Sequence, residues 1–344
     1  MRVVLHLLAF LLPAGTLLFL VTGPHGVGMS LVGLAVIAGL LAADTLGPPE
    51  VRDPDGSLPP AFFDGILAVL TVLHLAVIAA LPVYVAATGP TFPALVATFL
   101  VGNTSAQGIV LAHELVHRRS PWFRQSGRLL LSGVLYEHFT TEHLRGHHKR
   151  VATPDDPATA RYGERFWPFF VRTVPAQLRS AWDLECRRIG ATRWTDHRHN
   201  RVLHGLVVGW GAAGLVGVAL GPWALLAHLG QAAFAVVMLE GVNFVEHWGL
   251  QRAGKRVQPE DSWDSAGGLT YYMLIGLARH GDHHAHAARP WQDLRLFAET
   301  PRMPWGYMAT TYAAVFAGSL LLPRLDAELR AKGLGPYRLE RQAA

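Results

Sequence analysis

The sequence predicts an all-α integral membrane protein, six transmembrane helices carrying a cytoplasmic histidine-rich cap. Three observations predict it. Apolar runs of bilayer-crossing length recur along the chain, and roughly 18–25 residues suffice for one crossing. Of the 344 residues 51% are hydrophobic and only 16% charged, where a soluble domain carries about a quarter charged. Finally, 11 of the 18 histidines stand at positions 113, 117, 138, 143, 147, 148, 247, 280, 283, 284 and 286, a density that helix packing does not require.

The first crossing is expected at about residues 3–21. A secretory signal begins similarly, but no small-x-small cleavage site is evident and a second apolar run, 27–43, follows at once. Residues 44–60 are polar and proline-rich, a loop. Residues 65–88 and 92–112 form a hairpin turned at Thr88-Gly89-Pro90, and 202–220 with 223–244 form another turned at Gly221-Pro222. The polar sections 113–201 and 245–344 make the cap, so that 1–344 reads as a single membrane domain. Trp305–Leu322 is apolar too, but as a seventh crossing it would place the basic tail 324–341 outside. An in-plane or re-entrant segment is expected there.

Charge sets the orientation. Of the 30 Lys and Arg, 16 lie in 118–201 and 12 in 252–341, leaving Arg2 and Arg52. With six crossings all of them fall on one face, which the positive-inside rule makes cytoplasmic. The histidine clusters share that face. A net charge of +5 could suggest nucleic acid, but this distribution points to the lipid bilayer and no nucleic acid. The single cysteine, Cys186, excludes a disulfide framework and any multi-thiolate metal site.

The histidines fall in four pieces: His113-Glu-Leu-Val-His117, Glu142-His-Leu-Arg-Gly-His-His148, Glu246-His-Trp-Gly249 and His280-Gly-Asp-His-His-Ala-His286. His113 and His117 are four apart and share one helix face; His143 and His147 repeat that spacing. Neutral imidazole is the commonest metal ligand. Nine or so ligands exceed what one metal accepts, so two metals are expected. Imidazole suits Zn, Cu, Fe and Ni alike, so the residues alone do not choose the metal. Glu114, Glu142, Glu246 and Asp282 adjoin candidate ligands, where an acid commonly accepts the second ring N–H. Glu240 and Asn243 lie at a depth where polar groups are costly and usually functional; roles near the metal and plain interhelical hydrogen bonding are equally compatible with them. His138 and His286 break the spacing and fit a supporting or surface role better, while His74 and His228 read as packing histidines.

Two motifs mislead. Gly209-Trp-Gly-Ala-Ala-Gly214 matches a dinucleotide fingerprint, yet lies inside an apolar crossing with no preceding strand; close helix packing is expected instead. His113–His117 also matches the zinc-protease signature, an intramembrane alternative that leaves the other three pieces unexplained.

Those pieces resemble the membrane-bound, histidine-box di-iron family of desaturases and hydroxylases, and most closely the bacterial alkane 1-monooxygenases. The resemblance rests on residues 113–117, on Glu142–Arg161 with its VATPDDPA stretch, on Asn243–Leu250 and on Arg279–Arg295. It implies that the iron ligands are His113, His117, His143, His147, His148, His247, His280, His283 and His284, with O2 as co-substrate. It also implies a catalytic cap, an electron donor (rubredoxin or a ferredoxin with a separate NAD(P)H-dependent reductase), and residence in the bacterial inner membrane with both termini cytoplasmic. The implied reaction is terminal hydroxylation of an n-alkane. Val116 with Arg118-Arg119 is more similar to the xylene- and cymene-type enzymes, so methyl hydroxylation of an alkylbenzene or terpene stays open, as does acyl-lipid desaturation.

Overall fold

The computed structural model describes residues 2–54, 56 and 58–338. Its regular elements are helical, and among the described residues strand pairing is limited to the isolated bridges Pro49–Gly267 and Asp264–Arg302. The longer helices are α1 (Leu11–Thr22), α2 (Val27–Leu46), α3 (Pro60–Thr88), α4 (Phe92–His117), α5 (Pro121–Gly133), α6 (Phe166–Ile189), α7 (Arg201–Leu220) and α8 (Pro222–His247). Beyond them come the short α9 (His280–Ala285) and the pair α10 (Tyr307–Phe316) and α11 (Gly318–Lys332).

Their boundaries follow from local chemistry. Pro60 opens α3, where a missing N–H costs nothing, and Gly89 at φ 69° closes it in a conformation other residues resist. Thr91 caps α4 by accepting from the Ala94 N–H, and Asn200 caps α7 through the Leu203 N–H.

Among the described residues five helices, α2, α3, α4, α7 and α8, are long and apolar enough to cross a membrane. The first expected crossing differs. Its apolar run is helical throughout but changes form, from a turn of α-helix at Arg2–Leu5 through a 3-10 segment at His6–Phe10 to the shorter α1. Pro13 accounts for the late start, since it has no N–H and its ring crowds the carbonyl four residues back. At the other end, Trp305–Leu322 is no single crossing. It folds as α10 and α11, broken at Ala317 (φ −140°, ψ 41°); the ten residues of α10 rise only about 15 Å, half the apolar thickness of a bilayer.

The chain divides into two compact units. The first comprises 1–40, 58–141 and 185–236. Its axis is α4, buried along most of its length. Polar side chains join α4 to its neighbours: the Thr16 and Thr104 hydroxyls meet at 2.8 Å, the Ser105 hydroxyl donates to Gln231 at 2.6 Å, and the Gln107 amide donates to the Ala9 carbonyl at 3.0 Å. Where lipid supplies no hydrophobic drive between helices, such bonds and small residues hold them. Gly209 bears out its packing role, because a Cβ there would lie 3.0 Å from the Ser132 carbonyl, whereas Gly211 and Gly214 face open space.

The second unit comprises 41–57, 142–184 and 237–344. Asp44 is buried in it and ties down the start of α10, accepting from the Ala309 N–H at 2.9 Å and from the Thr270 hydroxyl at 2.7 Å. On α11, Leu321, Leu325 and Leu329 recur every fourth residue and are fully buried, fixing its inward face. Glu240 and Asn243 of α8 bond to each other at 3.1 Å, and the Gln177 amide of α6 donates to both Glu240 oxygens at 3.0 Å. Interhelical bonding is therefore what the structure shows for Glu240, while Asn243 bonds to it within α8.

Candidate metal centre

In the first unit, α4 runs unbroken through the first histidine piece, so His113 and His117 project from its last turns with ring centroids 5.2 Å apart. Glu114, between them in sequence, faces the other way and pairs with Arg118 at 2.7 Å. His138 is buried against Tyr136, centroids 4.2 Å apart, and burial lowers its pKa to about 4. His74 and His228 are buried within α3 and α8, as expected of packing residues.

The remaining candidate ligands lie in the second unit. His143–His147 is a π-turn, and the His148 N–H donates to the His143 carbonyl five residues back. That changes the partner of each ring. In an α-helix His143 would stand over His147; one π-turn instead brings together His143 and His148, whose Nε2 atoms lie 3.0 Å apart. His147 is turned to a different set. Its Nε2 lies 3.2 Å from Nε2 of His284, and its ring centroid 4.8 Å from that of His247.

The short helix α9 divides in the same way. His280 and His284, four apart, meet edge to face at 4.4 Å between centroids, while His283 lies 5.0 Å from His148 and 6.2 Å from His143. Two sets result. His147, His247, His280 and His284 are all buried, each with a ligand atom within 4.8 Å of the others. His143, His148 and His283 form the second, with His148 partly exposed.

The donor chemistry suits a metal. Burial and the surrounding imidazoles push the His284 pKa well below the usual histidine range, so that ring is neutral. Facing ring nitrogens 3.0–3.2 Å apart must share either a proton or a cation. A tetrahedral or octahedral ion with bonds of about 2.0–2.1 Å spaces its nitrogens some 3–4 Å apart.

The acids behave unequally. Oε1 of Glu246 lies 3.1 Å from Nδ1 of His280, where an acid fixes the tautomer and leaves Nε2 for a metal. Glu142 is buried and paired with Arg150; burial raises its pKa. Asp282 accepts from the His286 ring at 2.7 Å, from Arg289 and from the Arg295 N–H at 2.7 Å. It thus staples the loop after α9. Sequence reasoning missed Asp156, which is buried and bonds Nδ1 of His147 at 2.9 Å and the Thr159 hydroxyl at 2.6 Å. Burial resists its ionisation, yet these two partners hold its pKa below the usual carboxylate value. The signal was present in the VATPDDPA stretch, but nothing in its spacing aimed Asp156 at a ring.

Comparison with known proteins places these segments in context. The fatty acid desaturase profile matches residues 90–314. Alkane 1-monooxygenase 2 of Pseudomonas aeruginosa is 37% identical over 220 residues, covering 61% of this chain and 58% of that protein. Alkane 1-monooxygenase 1 of Alcanivorax borkumensis is 33% identical over 289 residues, covering 80% and 70%. The xylene/toluene monooxygenase hydroxylase component of Pseudomonas putida is 25% identical over 198 residues, covering 56% of this chain. The chain thus spans little more than half the length of the first of these relatives and about two thirds of the second.

Proposed function

The chain belongs to the fatty acid desaturase family, and from that premise we propose that it is a membrane-bound di-iron monooxygenase. It would place one atom of O2 into a C–H bond of a hydrophobic hydrocarbon, with terminal hydroxylation of an n-alkane as the specific reaction. The observation that carries the reading is the segregation of imidazoles into two sets, one of four buried rings and one built on a π-turn. A single-metal protease has no use for two sets. The alkane enzymes match at 33–37% identity and the xylene enzyme at 25%, which favours the alkane substrate over the aromatic one.

In this reading His147, His247, His280 and His284 hold one iron. His143, His148 and His283 belong to the other, and His113 and His117 of α4 are counted as ligands on the family resemblance. The iron pair supplies reductive activation of O2, which consumes two electrons and two protons and releases one oxygen atom as water. The chain's own residues do the rest. Asp156 holds the His147 ring by its Nδ1 atom, Glu246 stands 3.1 Å from Nδ1 of His280, and burial of the first set excludes bulk water from it. Electrons come from a rubredoxin or ferredoxin with a separate NAD(P)H-dependent reductase, and the six expected crossings set this site at the cytoplasmic face of the inner membrane.

Purified protein in nanodiscs, given reduced rubredoxin and octane, hexadecane or p-xylene, tests the proposal. The expected result is two irons per chain and 1-octanol or 1-hexadecanol as product. Iron-loaded protein that turns over only xylene would replace the alkane assignment. A zinc content with no oxygenated product from any of the three would overturn the monooxygenase reading.

A further inference from the structure

Tyr307 lies in none of the histidine pieces, yet its buried hydroxyl donates to Oε1 of Glu246. That is the same oxygen that lies 3.1 Å from Nδ1 of His280. All three side chains are at most 2% exposed. Tyr307 opens α10, and its position is fixed from behind. Its N–H donates to the Thr270 hydroxyl at 3.0 Å, and that hydroxyl donates to Asp44 at 2.7 Å. Asp44 also accepts the Ala309 N–H at 2.9 Å, and its carbonyl accepts the Gly306 N–H at 3.1 Å. Gly306 is required for this approach, because a Cβ there would overlap the Asp44 carboxylate.

We propose that Tyr307 is a positioning residue: through Glu246 it holds the His280 ring in the orientation that turns Nε2 toward His147, His247 and His284. The inference rests on the reading that this set holds a metal. The Glu246 oxygen nearest the imidazole is held in place by the phenol that donates to it. Without the phenol the carboxylate can rotate, and the ring it orients loses its fixed tautomer and angle. Thr270 uses its hydroxyl as both acceptor and donor, which carries the constraint back to Asp44, more than 200 residues earlier in the chain.

The test reads metal retention rather than turnover. Full-length protein loaded with 57Fe is challenged with a chelator, and release is followed together with the Mössbauer spectrum. Tyr307→Phe is expected to speed the loss of one of the two irons by about 10- to 100-fold, to alter one quadrupole doublet and to leave the other iron at the wild-type rate. Thr270→Val should shift release in the same direction and Thr270→Ser should restore it, a pair that decides the matter even if Tyr307→Phe fails to fold. Tyr272→Phe removes another buried phenol of the same unit, bonded to Glu50 at 2.8 Å, and should change neither iron. Wild-type release and an unchanged spectrum in Tyr307→Phe would overturn the proposal, as would equal loss in Tyr272→Phe. Wild-type protein that retains no iron would instead defeat the functional reading on which it rests.

Discussion

Asp156 and Glu137 show how far single carboxylates depend on their surroundings. Asp156→Asn keeps the shape but offers the His147 ring an amide in place of an anion, so Nδ1 is no longer fixed as the donor. Iron affinity is expected to fall about 10- to 100-fold, measured by competition with a chelator. Glu137 is a different case. It is buried, bonded to Arg128, and crowded by Gly205, where a Cβ would overlap its carboxylate. Burial raises its pKa to about 7 against the ordinary 4.5, with Arg128 opposing. The folded state therefore binds this proton more tightly than the unfolded chain. That contribution is full below about pH 4.5 and fades as pH rises through 7, and it amounts to about 3 kcal/mol. Thermal unfolding of Glu137→Gln between pH 5 and 8 should lack the fall in stability that the wild type shows over that window. Neither residue could be assigned from sequence, since both act through partners that only the fold brings into bonding distance.

At the scale of elements, the π-turn His143–His147 decides which ring meets which. Sequence spacing paired His143 with His147; the wider turn gives His143 to His148 and frees His147 for the four-ring set. Gly146 leaves room for the buried Glu142 beside that turn, because a Cβ would lie 2.6 Å from its carboxyl carbon. Gly146→Ala should therefore disturb three ligands at once. If the two sets hold iron as proposed, chelator competition is expected to show weakened retention at both, by about tenfold or more, in contrast to the one-iron loss expected for Tyr307→Phe. The helix ends were more legible. Thr91, Asn200, Gly89 and Gly221 mark caps where the sequence places turn residues, because capping is local chemistry. The form of the first expected crossing was less so: hydropathy sums over a window and is blind to the 3-10 segment that precedes α1.

On the scale of the whole molecule, the four-ring set draws on the 142–184 segment, on the end of α8 and on α9, so a bound ion would cross-link parts of the second unit that the chain joins only through long connections. Removing it with a chelator should lower the melting temperature, and iron at a thousandfold excess over its dissociation constant is worth about 4 kcal/mol; a thermal shift assay with and without chelator reads the difference. A melting temperature that ignores the chelator would mean the rings hold together without metal. What the sequence by itself determined is the helical membrane class, the family, and the candidate ligands, because hydropathy and histidine spacing act over a few consecutive residues. What only the tertiary structure decided is the partition of those rings into sets and the acids behind them, Asp156 and Glu246 with Tyr307. The reason is physical: a ring's partner depends on the local helical pitch and on which distant segment is packed opposite, and neither is written in the spacing of the residues themselves.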